Sequence, residues 1–328
     1  MASKQSNAVT KLYQTWLGDP DEGEVIRDQT QWDVLTVEPG GVDYLEPDLG
    51  EVPALWVVPR GSAEDRVLLC IHGGGFVSGS VYTHRKLFAH LAKATGARAL
   101  VVGYPLIADG GQFPVPVEHV LTAYRWLLDQ GVQAEHVAFA GDSAGGSLAV
   151  TAQVHARLRD LPLPAATVLL SPWIDLEVTG ETMVSNADTE ALFTQSWVAQ
   201  MAQGYLGTTG PRDPLANPLF ADLSGFGPMY LQVGGYEVLL DDSRRLAEHA
   251  GQAGVEVELD VVPEMQHTFQ MMAGRAPEAD DAIRRLATWL RPVLGLVPDE
   301  PPWPTKTTEP RGTKDADAVL FVASEYSP

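Results

Sequence analysis

Residues 141–146 read GDSAGG, and this stretch decides the class of fold that we predict. It follows an apolar run, HVAFA, and precedes a helix-like run, SLAVTAQVHARL. Gly141 and Gly145 complete a G-x-S-x-G pattern around Ser143, which no other serine of the chain has. A strand that turns abruptly into a helix needs such small residues, because neighbouring backbone then passes without Cβ clashes and the serine oxygen is exposed. A serine that merely caps the helix remains the alternative interpretation.

Short apolar runs alternate with amphipathic helical patterns along most of the chain. The runs are VLLCI (67–71), ARALVVG (97–103), HVAFA (136–140), ATVLLS (166–171), MYLQV (229–233) and VEVELDVV (255–262). Runs this short and rich in Val and Leu are typical of strands buried on both faces. The alternation predicts crossover units and a mostly parallel sheet, in which ligands bind beyond the carboxyl ends of the strands.

The remaining segments predict additions to this sheet. Apolar residues at helical spacing predict a short helix within residues 1–30; they are Val9, Leu12, Tyr13, Trp16 and Leu17. Residues 32–37 and 54–58 have the character of strands. Residues 175–225 interrupt the alternation, and an insertion of this length predicts a lid or a substrate-facing segment. The Pro- and Thr-rich residues 299–328 are interpreted as a tail.

Composition excludes several classes of function. The chain has 43 Asp and Glu against 22 Lys and Arg, so its formal net charge is −21. A surface this negative repels phosphate backbones and anionic lipid, so we predict neither nucleic acid nor membrane as partner. Cys70 is the single cysteine, which rules out an intrachain disulfide and a zinc cluster. With no signal-like segment and no run of about 18 apolar residues, a cytoplasmic location is expected.

A second glycine-rich motif, HGGGF at residues 72–76, follows the run VLLCI. Consecutive glycines leave backbone N–H groups uncovered, so they can hold a developing negative oxygen, and HGGG loops accompany G-x-S-x-G turns in lipases and esterases. A phosphate-binding loop is the alternative, but Ser78 occupies the place of its third glycine. His72 is interpreted as a structural member of the loop.

A nucleophilic serine needs a base and an acid. Among eight histidines, His267 lies directly after the last strand-like run and before the last helix, where a base reaches back over the sheet. The acid is expected after the run MYLQV, where Glu237 comes first and Asp241 and Asp242 are alternatives. The resulting order of serine, acid and histidine is the one that this kind of fold uses. His84 is a further residue that could line the site.

Several stretches together resemble the hormone-sensitive-lipase-like family of bacterial esterases. They are HGGGF, GDSAGG, SPW (171–173), DPLANPLFADLSG (213–225), EVLLDDS and QHTF. The resemblance covers about residues 30–295 and implies an α/β-hydrolase fold with a mostly parallel eight-stranded sheet, flanking helices and a helical cap. One domain over 1–298 would then carry a cap built from about 1–30 and 175–225.

The resemblance also implies roles for residues. Ser143 would be the nucleophile and His267 the base, and the oxyanion hole would be formed by N–H groups of Gly73, Gly74 and Ala144. The sequence departs from the family at Glu237, where most members have Asp, and EVLLDDS resembles a branch that includes ε-lactone hydrolases. The family's Y-R-L-A-P-E segment reads YPLIADGG at 104–111.

We therefore predict a serine carboxylesterase that hydrolyses short- to medium-chain or cyclic esters through an acyl-enzyme, without cofactor or metal. Its partner would be a small-molecule ester, and a homodimer is a candidate assembly. Large aromatic residues are expected to line the pocket: Phe76, Trp173, Phe193 and Trp197. A non-catalytic ligand-binding protein on the same fold and an amidase are the alternative functions.

Overall fold

An eight-stranded sheet forms the centre of the protein in a computed structural model, which describes residues 2–16 and 31–296. The strands are β1 (Val42–Leu45), β2 (Ala54–Pro59), β3 (Val67–Ile71), β4 (Arg98–Val102), β5 (Val137–Asp142), β6 (Ala166–Leu170), β7 (Met229–Gly234) and β8 (Val257–Val262). Their order across the sheet is β1-β2-β4-β3-β5-β6-β7-β8, and every pair is parallel except β1–β2 and β2–β4. The predicted mostly parallel sheet is confirmed.

Helices flank this sheet. They are α1 (Lys4–Trp16), α2 (Gln31–Leu35), α3 (Val81–Thr95), α4 (Val115–Asp129), α5 (Ala144–Arg157), α6 (Thr182–Ser185), α7 (Gln195–Leu206), α8 (Leu240–Gln252) and α9 (Pro277–Val293). α3 packs on α9, and α4 packs on α5. Strands β3, β5, β6 and β7 are buried along their whole length, as the apolar runs require of strands covered on both faces.

One predicted strand is wrong. Residues 32–37 begin inside a short helix, α2, and the antiparallel edge of the sheet is formed instead by β1. The reason is the spacing of the buried side chains: Trp32 and Leu35 are three residues apart, and this places both on one side of a helix. β1 alternates between half-buried and exposed residues, so its apolar signal is weak.

The predicted N-terminal helix is present as α1, and the insertion over 175–225 contains α6 and α7. Leu17, the other predicted cap residues between 17 and 30, and the predicted tail at 299–328 lie outside the described residues. No helix in the described ranges has both the length and the apolar character that a membrane span requires.

Gly145→Ala tests how closely the backbones pack beneath Ser143. A Cβ atom on Gly145 would lie 2.1 Å from the carbonyl oxygen of Ile71. Backbone cannot yield as a flexible side chain does, so we expect a loss of about 1–3 kcal/mol in the free energy of unfolding. Gly251→Ala, on α8, is the control: nothing lies within 4 Å of its Cβ position, and we expect a gain of up to about 1 kcal/mol. Equal urea midpoints for the two variants would contradict the close approach.

Candidate active site

Ser143 lies at the turn between β5 and α5, beyond the carboxyl end of the strand. Its backbone adopts φ 50° and ψ −120°, a conformation that non-glycine residues rarely take. The turn closes only because its neighbours lack side chains: a Cβ on Gly141 would lie 2.2 Å from the Gly145 carbonyl oxygen. Ser143 therefore projects at the N-terminus of α5, where the helix dipole favours negative charge.

Ser143, His267 and Glu237 form one hydrogen-bonded row. The Oγ of Ser143 lies 2.9 Å from Nε2 of His267, and Nδ1 of His267 lies 2.8 Å from Oε2 of Glu237. All three side chains are buried. Glu237 follows β7 and His267 follows β8, so three turns at the same edge of the sheet supply the row. With the Nδ1 proton donated to the carboxylate, Nε2 is left to accept the serine proton.

The two alternative acids have other partners. Asp242 Oδ2 accepts the N–H groups of Ile174 and Asp175, each at 2.7 Å. Asp241 Oδ2 accepts the N–H of Glu181 at 3.0 Å. Both carboxylates thus hold the start of the 175–225 insertion, and in the described part of the chain neither contacts the histidine.

Ser171 holds Glu237 in place, a contact that the sequence did not predict. Its hydroxyl donates to Glu237 Oε1 at 2.6 Å and accepts the N–H of Thr268 at 3.0 Å. Gly234 N–H donates to the same carboxylate oxygen. Ser171 lies in SPW (171–173), one of the stretches that carried the family resemblance. That stretch was the one feature of the sequence that could have indicated a role for Ser171.

Neighbouring charges shift the pKa of His267. Burial alone lowers the pKa, but the charge and hydrogen bond of Glu237 raise it, with further contributions from Glu190 and Asp142. The net direction is upward from the ordinary value of 6.5. The imidazolium form is therefore stabilised in this site.

The glycine loop corrects one predicted oxyanion donor. Gly73 N–H donates to Asp142 Oδ1 at 3.0 Å, so it is not free to bind a substrate oxygen. Within residues 2–16 and 31–296, the N–H groups of Gly74, Gly75 and Ala144 have no protein acceptor. The sequence showed three successive glycines but not which N–H groups the neighbouring carboxylate leaves free.

His72 holds the back of this loop. Its Nδ1 donates to the Gly73 carbonyl oxygen at 2.8 Å, and its ring stacks on Tyr104 with centroids 4.2 Å apart. A trans peptide sets its C=O and N–H in opposite directions, so fixing the Gly73 carbonyl also fixes the Gly74 N–H. Burial lowers the pKa of His72 to about 3, which keeps the ring neutral. His84 lies behind the loop, with Nε2 3.4 Å from Asp142 Oδ2.

A small pocket opens above Ser143, with about 290 Å³ of empty space, part of it open to solvent. Its lining residues are Trp32, Gly74, Val77, Asp142, Ser143, Phe193, Trp197, Met201, His267 and Thr268. Phe193 and Trp197 thus line the pocket, and the Phe193 ring lies 4.8 Å from the His267 ring. Trp32, on α2, is a lining residue that no sequence motif indicated.

Phe76 and Trp173 are not among the lining residues, which corrects their predicted place. Phe76 stacks on Tyr205 with ring centroids 3.8 Å apart and lies 5.7 Å from Trp173. Both are almost fully buried. Phe76 has φ 63°, and the loop ends in this left-handed turn with the ring packed in the core.

The 175–225 insertion is bound to the turns that carry Glu237 and His267. Asn186 donates to the Glu237 carbonyl oxygen at 2.8 Å, and Glu190 Oε2 accepts the N–H of Val238 at 3.0 Å. Gln266 donates to the Thr189 carbonyl oxygen at 2.8 Å. The insertion therefore supports the row as well as covering the pocket. The described residues contain no group of three or more potential metal ligands.

Asp242→Asn tests the electrostatics beneath the insertion. Burial raises the pKa of Asp242 to about 7, and the two backbone N–H groups oppose this only in part. The folded protein then holds a proton that the unfolded chain loses near 3.8, so this carboxyl lowers stability as pH rises from about 4 to 7. We expect the free energy of unfolding of the variant, taken relative to that of the parent, to be higher at pH 8 than at pH 5 in urea titrations. An equal difference between the two proteins at both pH values would contradict the raised pKa.

Comparison with known proteins places the chain in a family. Residues 68–271 match a family model described as the alpha/beta hydrolase fold. An acetyl-hydrolase of Streptomyces hygroscopicus is 38% identical over 301 residues, which cover 90% of this chain and 99% of that protein.

Solved structures agree with this assignment. An esterase of the bacterial hormone-sensitive lipase family superposes with a TM-score of 0.83 at 39% identity, covering 90% of this chain and 100% of that one. EstE5, in a crystal soaked with p-nitrophenyl butyrate, superposes with a TM-score of 0.84 at 32% identity and covers 90% of this chain and 100% of its own. The chain therefore belongs to the α/β-hydrolase family and, within it, to the hormone-sensitive-lipase-like esterases.

Proposed function

We propose that this carboxylic ester hydrolase is a serine esterase in which Ser143 is the nucleophile, His267 the base and Glu237 the acid. The observation that carries the proposal is the hydrogen-bonded row Ser143–His267–Glu237, with distances of 2.9 and 2.8 Å. A serine whose hydroxyl faces a buried, correctly oriented imidazole is an activated nucleophile. A protein that only bound ligands would not need this alignment.

Acylation begins when Ser143 Oγ attacks the ester carbonyl carbon and its proton passes to Nε2 of His267. Glu237 stabilises the imidazolium and keeps the ring oriented. The carbonyl oxygen gains the electron pair of the broken π bond, and the free N–H groups of Gly74, Gly75 and Ala144 bind this oxyanion. The imidazolium then protonates the leaving alkoxide as the C–O bond breaks, which releases the alcohol and leaves an acyl-enzyme.

Deacylation repeats these steps with water as the nucleophile. Nε2 of His267 accepts a proton from water, whose oxygen attacks the acyl carbon, and the same N–H groups bind the second oxyanion. Ser143 leaves with the proton from His267, and the carboxylic acid is released. Apart from the ester and water, every group that these steps use belongs to this chain.

The dimensions of the pocket support short substrates. Little enclosed space remains above Ser143, and the indole of Trp197 and the ring of Phe193 form part of the wall. Short acyl chains or small cyclic esters fit such a space. The acetyl-hydrolase relative and the p-nitrophenyl butyrate soaked into EstE5 support the same range.

The first test is hydrolysis of p-nitrophenyl esters from acetate to palmitate by the parent protein and Ser143→Ala. We expect the parent kcat/KM to be highest for acetate to butyrate, and kcat in the variant to fall by about 10⁴-fold or more. Parallel assays with p-nitroacetanilide and ε-caprolactone compare amide and lactone substrates. Full activity in Ser143→Ala, or an inactive folded parent on every ester and lactone, would contradict the proposal.

The second test concerns the acid and the pH dependence. His267 must be neutral to accept a proton, so kcat/KM should fall on the acid side with a midpoint above 6.5, because the pKa of His267 is raised. Glu237→Gln removes the charge that raises this pKa and misorients the ring. We expect kcat to fall by about 10²- to 10⁴-fold and the acid limb of the remaining activity to move to lower pH.

Asp241→Asn is the matched control for Glu237→Gln, since it neutralises a carboxylate four residues further along the same segment. Among the described residues Asp241 accepts the Glu181 N–H and does not contact the histidine, so kcat and the acid limb should match those of the parent. A large loss in this variant with retained activity in Glu237→Gln would assign the acid to Asp241.

A further inference from the structure

Trp32 reaches the pocket from α2, a helix that is not part of the sheet or of either glycine-rich turn. Trp32 lines the pocket and is 4% exposed. The indole N–H donates to Ser78 Oγ at 3.1 Å, and the Ser78 hydroxyl donates to the Gly74 carbonyl oxygen at 3.1 Å. A hydroxyl can accept one hydrogen bond and donate another, so these two bonds form a single directed chain from Trp32 to the glycine loop.

The chain ends on a carbonyl whose orientation matters. Gly74 O also accepts the N–H groups of Val77 and Ser78, at 3.0 and 2.9 Å. The peptide that begins with this carbonyl carries the N–H of Gly75 at its other side, pointing away from Ser78. A tilt of the carbonyl therefore tilts the Gly75 N–H by the same angle.

The backbone at Gly74 and Gly75 has little room to move. A Cβ on Gly74 would lie 2.2 Å from the Ser78 carbonyl oxygen, and one on Gly75 would lie 2.4 Å from Met201 Sδ. The loop is packed between Ser78 on one side and helix α7 on the other. The Ser78 side chain, which is fully buried, thus connects the Gly74–Gly75 peptide to Trp32 through its two hydrogen bonds.

We infer that Trp32 is a positioning residue for the oxyanion hole: through Ser78 it holds the peptide that presents the Gly75 N–H. This inference rests on the proposed serine mechanism. It gives Trp32 two tasks, since the ring forms the pocket wall while its N–H orients a donor that acts on the transition state.

The same N-terminal region also contacts the base. Trp32 packs in an aromatic cluster with Trp16 and Tyr13, with ring centroids 5.1 and 6.4 Å from its own. The Tyr13 hydroxyl donates to the His267 carbonyl oxygen at 3.1 Å. Helices α1 and α2 therefore hold the oxyanion loop through Trp32 and the turn of the base through Tyr13.

The experiment compares Trp32→Phe, Ser78→Ala and the double variant with p-nitrophenyl butyrate and with a short-chain trifluoromethyl ketone, whose adduct with the serine carries an oxyanion. We expect each single variant to lower kcat about tenfold, less than the 10²- to 10³-fold loss of a donor itself. KM should stay within about twofold, and the inhibition constant should rise by the same factor as kcat falls. The double variant should lose no more than the stronger single variant, because both substitutions break one chain.

Trp16→Phe is the matched control, because it removes the same ring volume from the same cluster and leaves the Trp32–Ser78 bond in place. We expect its kcat and inhibition constant to equal those of the parent. Thermal unfolding tests whether each variant is folded. If Trp32→Phe is not folded, the inference is judged from the kcat, KM and inhibition constant of Ser78→Ala.

Two results would overturn the inference. One is a Trp32→Phe variant in which only KM changes, as expected of a residue that only lines the pocket. The other is a double variant whose loss of kcat is the product of the two single losses, as expected of independent contacts. Failure of the serine mechanism looks different, since Ser143→Ala would then retain full activity whatever happens at Trp32.

Discussion

A hydrogen bond from the Gly73 N–H to the Asp142 carboxylate joins the two glycine-rich turns, and the rest of the site is built around this junction. β3 and β5 are neighbours in parallel register, with Ile71 opposite Gly141, so their two turns leave the sheet side by side. The absence of a Cβ at Gly145 lets the turns pack backbone against backbone. The sheet itself thereby brings Ser143 and the glycine loop to one place.

His267 and Glu237 depend on a second set of contacts, made by buried polar groups. Glu237 accepts hydrogen bonds from Ser171 and Gly234 as well as from His267, so its charge is compensated although it is buried. Glu190, from the insertion, accepts N–H groups on both of its oxygens, and burial raises its pKa. These carboxylates lie around His267, and their negative charge favours the imidazolium form that the proposed mechanism requires of it.

Much of this arrangement could be predicted from local sequence, but some assignments could not. The strands β3 to β8 follow from apolar runs, whereas 32–37 was misassigned because two buried residues suit a helix as well as a strand. The choice of Glu237 over Asp241 and Asp242 rested on position along the turn, and the structure places Glu237 against His267. Gly73 was mistaken for a free donor because its partner, Asp142, lies 69 residues away in sequence.

The sequence by itself determined the mostly parallel sheet, the sharp turn at Ser143 and the order of Ser143, Glu237 and His267 along the chain. These follow from short-range physics: apolar runs specify buried strands, and glycines mark where backbone must pass without side chains. Only the tertiary structure decided that Phe76 and Trp173 belong to the core and that Trp32 and Ser171 reach the site. It also decided that the Gly73 N–H binds Asp142, whereas the Gly75 N–H has no acceptor among the described residues. Such facts depend on where side chains from distant segments point, because a hydrogen bond or a ring contact exists only once the packed fold brings both partners within a few ångströms.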